Sequence, residues 1–132
     1  MDPSATVTDC EHVLARALAG LGENHPDTLA ARSTLATLYR RARRYDDAST
    51  QLEELRNGLR ATLGGEDEQT LEARQRLAFA YRLADRLTEA EREYQAVVEG
   101  RARTLGATHP DTLVAEEHLA AVRRRRWHEI VG

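Results

Sequence analysis

The chain has 132 residues and a net charge of −3, and it is 41% hydrophobic but only 5% aromatic. That length allows one domain with an aliphatic core, and so small a charge supplies no global field for nucleic acid or a membrane surface. A lone cysteine, Cys10, excludes a disulfide framework. No run approaches the ~18 apolar residues of a membrane span, so a soluble, cytoplasmic chain is expected.

The dipeptide Leu-Gly occurs at 21–22, 63–64 and 105–106, at intervals of 42 residues, and its neighbours repeat with it. Such a period denotes stacked supersecondary units in a single domain spanning 1–132. In chain order, the first expected helix covers 4–20, with Val7, Cys10, Val13, Leu14 and Ala17 as its apolar stripe. The next opens at Pro26-Asp27, a proline where the missing N–H does no harm and an acid at the positive helix end. Its stripe is Leu29, Ala31, Leu35, Ala36, Leu38, Tyr39 and Ala42. After a polar turn at 40–44 a third helix carries Tyr45, Ala48, Leu52, Leu55, Leu59 and Leu63, closed by Gly64. The second unit repeats both, first with Leu71, Ala73, Leu77, Ala78, Tyr81 and Ala84, then with Leu87, Ala90, Tyr94, Val97, Val98 and Leu105. A last helix ends near Arg126. The register divides the chain into a half-repeat 4–20, repeats 21–62 and 63–104, a half-repeat 105–126 and a tail 127–132. Each full unit is a hairpin of a helix A and a helix B, giving about six antiparallel helices in the order B-A-B-A-B-A.

The Leu-Ala-x-x-Tyr of helix A (Leu35, Ala36, Tyr39; Leu77, Ala78, Tyr81) and the Ala-x-x-x-large of helix B (Ala48, Leu52; Ala90, Tyr94) resemble tetratricopeptide repeats. The 42-residue period and the LGxxHPDTL junction are similar to the kinesin-light-chain type. The resemblance implies an all-α solenoid with a right-handed superhelix, in which A helices line a concave face that binds proteins or peptides. It implies no cofactor and no enzyme activity. The all-arginine basic complement and high alanine content suggest a bacterial source.

Carried over by position, the concave face holds Ser33, Thr37 and Arg40 from the first helix A, Gln75, Arg76, Phe79 and Arg82 from the second, and Glu117, His118 and Arg124 from the third. The carboxylate clamp of chaperone-binding family members uses Lys and Asn, whereas Ser33 and Thr37 stand at the first such pair and the chain has no Lys. Arginine forks pair with carboxylates and an aromatic can anchor a hot spot. The expected ligand is thus an acidic or mixed peptide anchored near Phe79 and Arg82.

Other chemistries are weaker. His25-Pro26-Asp27 and His109-Pro110-Asp111 lie two repeats apart, too far for bonds of ~2–2.6 Å to one metal, and read as helix caps. Cys10 sits on an apolar stripe with no partnered base, and no phosphate loop or nucleophile elbow occurs. The Arg123–Arg126 run, flanked by Glu116, Glu117 and Glu129, reads as a solvated capping helix, which makes nucleic acid an improbable partner; Trp127, Ile130 and Val131 are expected to fold back on it. Gly58 and Gly100 recur in helix B, which suggests close helix approach. Two further readings stay open: self-association of the terminal half-repeats, as a homodimer or head to tail, and a sensor or regulatory role in a bacterial signalling or transcription-regulating protein.

Overall fold

The computed structural model describes residues 3–132. Six helices follow in order: α1 (Pro3–Leu21), α2 (Pro26–Arg41), α3 (Tyr45–Leu63), α4 (Glu68–Leu83), α5 (Leu87–Thr104) and α6 (Pro110–Val131). Each packs mainly on its chain neighbours, so the core is a row of helix pairs rather than one central cluster. Its fully buried side chains include Leu35, Leu71, Leu77, Tyr94, Val97 and Val122.

Each residue of the repeated junction has a local task. Gly22, Gly64 and Gly106 hold φ of +88°, +96° and +105°, which a side chain tolerates poorly. His25 and His109 cap the next helix, their Nδ1 atoms accepting from the N–H groups of Asp27 (3.0 Å) and Asp111 (3.1 Å). Asp67 does the same for Gln69 at 2.9 Å, so histidine and aspartate perform one job at one register position. The Thr70 and Thr112 hydroxyls donate to the carbonyls of Gly64 and Gly106, both at 2.8 Å. Leu29 and Leu71 press on the next helix: a Cβ built on Gly58 would lie 2.6 Å from Leu29 Cδ2, and one on Gly100 2.7 Å from Leu71 Cδ2. The recurring glycines therefore mark close helix approach.

The turn from helix A to helix B uses left-handed backbone at Arg43 (φ 62°) and Asp85 (φ 63°). The N–H of Arg44 reaches the Tyr39 carbonyl and that of Arg86 the Tyr81 carbonyl, both at 2.8 Å, the long-range bond of a Schellman cap. Position 127 shares this register but holds a tryptophan, whose bulk disfavours that conformation. There α6 does not turn; it runs on to Val131. The expectation that the tail folds back is thus corrected: Trp127, Ile130 and Val131 are 62%, 72% and 57% exposed. Nor is the arginine run simply solvated. Arg123 donates to Glu91 and Gln95, Arg126 to Glu91, and Arg125 to Asp85, while Arg124 is exposed. Burial alone would push the Glu91 carboxyl up, but hydrogen bonds from Arg123 and Arg126 hold it below its ordinary value. Val13, read as part of the α1 stripe, is exposed. Its register equivalents Leu55 and Val97 are buried, having an A helix before their own.

The signature tyrosines are tied to the preceding helix B. Tyr39 donates to Glu11 at 2.5 Å and Tyr81 to Glu53 at 2.7 Å. Arg44 and Arg86 lie over the two rings, 4.5 and 4.6 Å from the centroids. In the third unit the same two register positions are Arg123 and Gln95, which bond at 2.6 Å. Burial, then the hydrogen bond to Glu11 and its charge, push the Tyr39 phenol up to about 12, and burial with the Glu53 bond raises Tyr81 as well. A raised phenol pKa favours the neutral form in the folded state. Its stabilisation is complete below the ordinary tyrosine value of about 10 and is lost as pH climbs through the folded value. Helical circular dichroism is therefore expected to fall between about pH 10 and 12, and the double variant Tyr39→Phe/Tyr81→Phe to flatten that loss. An unchanged alkaline transition in the double variant would show that these phenols do not control it.

Candidate partner-binding groove

The A helices α2, α4 and α6 lie side by side, and two adjoining cavities open between them. One, of about 310 Å³, is lined by Thr37, Arg40, Glu72, Gln75, Arg76, Phe79 and His118, and floored by Ala36, Leu52 and Tyr94. The other, of about 610 Å³, lies between α2, α3 and α4, with Leu29, Ala30, Leu55, Leu59, Leu63 and Ala73 as its apolar wall and Ser33, Gln69, Glu72 and Arg76 at its polar margin. Glu72 and Arg76 belong to both, so the two form one groove divided at that pair.

Arg76 is the divider. Its guanidinium donates to Ser33 Oγ (2.7 Å), the Ser33 carbonyl (3.1 Å) and Thr37 Oγ1 (3.0 Å). Desolvation lowers its pKa, with Glu72 opposing and Arg40 reinforcing that shift. Ser33, Thr37 and Arg76 therefore form a brace between α2 and α4, and Arg76 is not the free carboxylate fork that its position in the sequence suggests. Gln75 is also engaged, accepting from Arg101 Nη1 at 2.8 Å. His118 stacks on Tyr94, with centroids 5.4 Å apart and planes at 11°. Phe79 is half-buried, with the Arg82 guanidinium 5.0 Å from its ring centroid.

Thr37, Arg40, Gln75, Arg76, Phe79 and His118 thus share one cavity, while Ser33 sits across the divider in the other. Glu117 and Arg124 are exposed on α6 and line neither cavity. Tyr94, Leu52, Leu55 and Leu59 are core residues, as their stripes indicate, and their edges also reach the two cavities. The sign of a cavity beside them was the small residues Ala30, Ser33 and Ala73 on the facing A helices. Among the described residues, no group of His, Cys, Asp and Glu is arranged to hold a metal ion, and no helix is long and apolar enough to cross a membrane.

Six helices in a row, a repeated junction and a groove along alternate helices define a helical-repeat solenoid. Two models of the tetratricopeptide repeat match, at residues 5–61 and 70–111. The crystal structure of the kinesin-light-chain, nearly identical TPR-like repeats of Podosopora anserina is similar, with 29% identity and a TM-score of 0.78. A single-substitution variant of the same protein gives 29% and 0.79. Both alignments cover 91% of this chain and 57% of the other, so the chain spans little more than half the length of these structures. A search of curated protein sequences finds no match. The chain belongs to the tetratricopeptide-repeat family, with repeats of the kinesin-light-chain type. Such repeats generally mediate protein–protein interaction and are generally non-catalytic.

Proposed function

We propose that this chain is a non-catalytic interaction module that binds an acidic or mixed peptide along its A-helix groove. The observation that carries this reading is the asymmetry of the groove. Arg40 and Phe79 line one cavity, with Arg82 over the Phe79 ring outside it, while an aliphatic cavity opens on the other side of Arg76. A ligand with a carboxylate near Arg40 and an aliphatic side chain beside Leu29, Leu55 and Leu59 satisfies both parts. Aromatic and arginine side chains at the centre of a contact supply most of its affinity, and Arg40 is exposed, without the brace that occupies Arg76.

The test is a peptide array graded in Asp/Glu and aliphatic content, followed by fluorescence polarisation of the best binder. Phe79→Ala is expected to weaken that peptide at least tenfold with helical circular dichroism unchanged, and Arg40→Ala to weaken acidic peptides selectively. Binding indifferent to both variants would overturn the reading.

The head-to-tail alternative is disfavoured by register. Within a repeat, Leu29 and Leu71 lie against Gly58 and Gly100, and Arg32 and Arg74 donate to Gln51 and Glu93 at 2.9 and 3.0 Å. Completing a repeat between α6 of one molecule and α1 of another would set Leu113 against Arg16, where a glycine is needed. It would also set Glu116 against Asp9, two like charges.

A further inference from the structure

One face of α6 carries a stripe that the groove does not use. Leu113, Glu116, Ala120, Arg124 and Trp127 follow one another at intervals of three or four residues, so they share one face of the helix. The buried residues Thr112, Ala115, Leu119 and Val122 lie to one side of it, against α5. Leu113 and Trp127 are 45% and 62% exposed. Glu116 and Arg124 are exposed too. The other three arginines of the run are drawn back to Glu91, Gln95 and Asp85, leaving Arg124 alone on this stripe.

We infer that this stripe is a dimerisation surface whose occupant is the α6 stripe of a second copy, packed antiparallel about a two-fold axis at Ala120. The pattern is self-complementary in that arrangement. Residues four positions either side of Ala120 are Glu116 and Arg124, each about 6 Å along the axis from the centre. A two-fold antiparallel pair sets each Glu116 opposite the other copy's Arg124. Residues seven positions either side are Leu113 and Trp127, so an aliphatic side chain meets an indole at both ends. Ala120 at the crossing point admits close approach of the two helices. A parallel pair would stack Glu116 on Glu116 and Arg124 on Arg124. The contact is isologous and closes after two copies, so it produces no filament. To the cavity around Arg40 and Phe79, α6 contributes only His118, which is not part of this stripe, so the cavity stays open.

One helix from each copy makes a small interface, so a reversible dimer is expected at high micromolar rather than nanomolar concentration. Sedimentation velocity over a concentration series tests it: the apparent mass should rise from 14.8 kDa to twice that value and no further. Trp127 is the only tryptophan, so its emission should shift to the blue across the same range. Glu116→Arg and Arg124→Glu should each weaken dimerisation at least tenfold, and the double swap Glu116→Arg/Arg124→Glu should restore it. Both positions are exposed, and unchanged circular dichroism verifies the fold of each variant. A monomer at about 1 mM, an open series of larger species, or a double swap no better than the single ones would each overturn the proposal.

Discussion

Replacing Glu93 with alanine is expected to remove about 3–5 kcal/mol of folding stability, a large share of what a domain of this size possesses. The Glu93 carboxylate accepts from Arg74 Nη1 and Arg56 Nη1, both at 3.0 Å, and the three side chains are only 11%, 16% and 18% exposed. Truncation leaves two poorly hydrated guanidinium groups facing each other with no anion between them. The penalty is the desolvation of those cations rather than the loss of two ordinary bonds. The register makes this site unlike its equivalents. At the same place in the preceding repeat Gln51 accepts from Arg32 alone at 2.9 Å, because Leu14 in α1 stands where α3 has Arg56. One cation is served by an amide; two require a carboxylate. Glu93→Gln should therefore be intermediate, and the double variant Glu93→Gln/Arg56→Leu should recover much of the loss. Urea denaturation followed at 222 nm measures each value, and an alanine variant within about 1 kcal/mol of the parent would show that water reaches the two arginines freely.

The pair of arginines around Glu93 illustrates which part of the fold the sequence carries openly. Leu-Gly at a 42-residue interval, proline at helix starts and the Leu-Ala-x-x-Tyr pattern are local signals whose cause lies within a few residues, and they suffice for six helices and their order. The Glu93 site needs Arg56, Arg74 and Glu93 from three helices, and no local pattern announces it. The end of α6 lies between these cases. Repeat register alone places a turn at 126–127, but the turn depends on left-handed backbone that Arg43 and Asp85 accept and Trp127 resists.

The groove divides in the same manner. Positional carry-over gave addresses, and six of its ten residues do line one cavity. It could not give partners. Whether Arg76 is available to a ligand depends on Ser33 and Thr37, some forty positions earlier in the chain, offering acceptors within 3.1 Å. The hydroxyls that stand where a clamp would have Lys and Asn are the reason that arginine is occupied. Arg40 has no such acceptors among the described residues, so of the two arginines lining that cavity it is the one left for a ligand carboxylate. Apolar residues of helix B were assigned to the core by their stripe. Leu55 and Leu59 are indeed buried, at 5% and 9% exposure, but a stripe does not reveal that a cavity adjoins them beside the short side chains of Ala30, Ser33 and Ala73.

Gly100→Ala is expected to destabilise the chain by about 1–3 kcal/mol, whereas Gly58→Ala should lie near neutral, although the two glycines occupy one register position. Alanine gains about 0.5–1 kcal/mol over glycine in a helix interior, whichever site is changed, so the sign rests on what the new methyl group meets. At Gly100 it meets Leu71, with Cδ2 at 2.7 Å, Cδ1 at 3.0 Å and Cγ at 3.4 Å. Both branches and the branch point are too near for a rotation to clear them, and Leu71 is 1% exposed, with no space to retreat into. At Gly58 the methyl group meets mainly Leu29 Cδ2 at 2.6 Å, while Cδ1 stands at 3.7 Å. Leu29 also lines the 610 Å³ cavity, so one change of rotamer carries its tip into open space, and only the Asn24 side-chain oxygen at 3.2 Å must shift as well. Thermal unfolding of the two single variants side by side separates these cases. Equal losses would mean that the groove wall is as rigid as the core. The expected inequality carries a further consequence: a Leu29 side chain displaced into the cavity occupies the place proposed for an aliphatic ligand group, so Gly58→Ala should weaken peptide binding while leaving the melting temperature nearly unchanged.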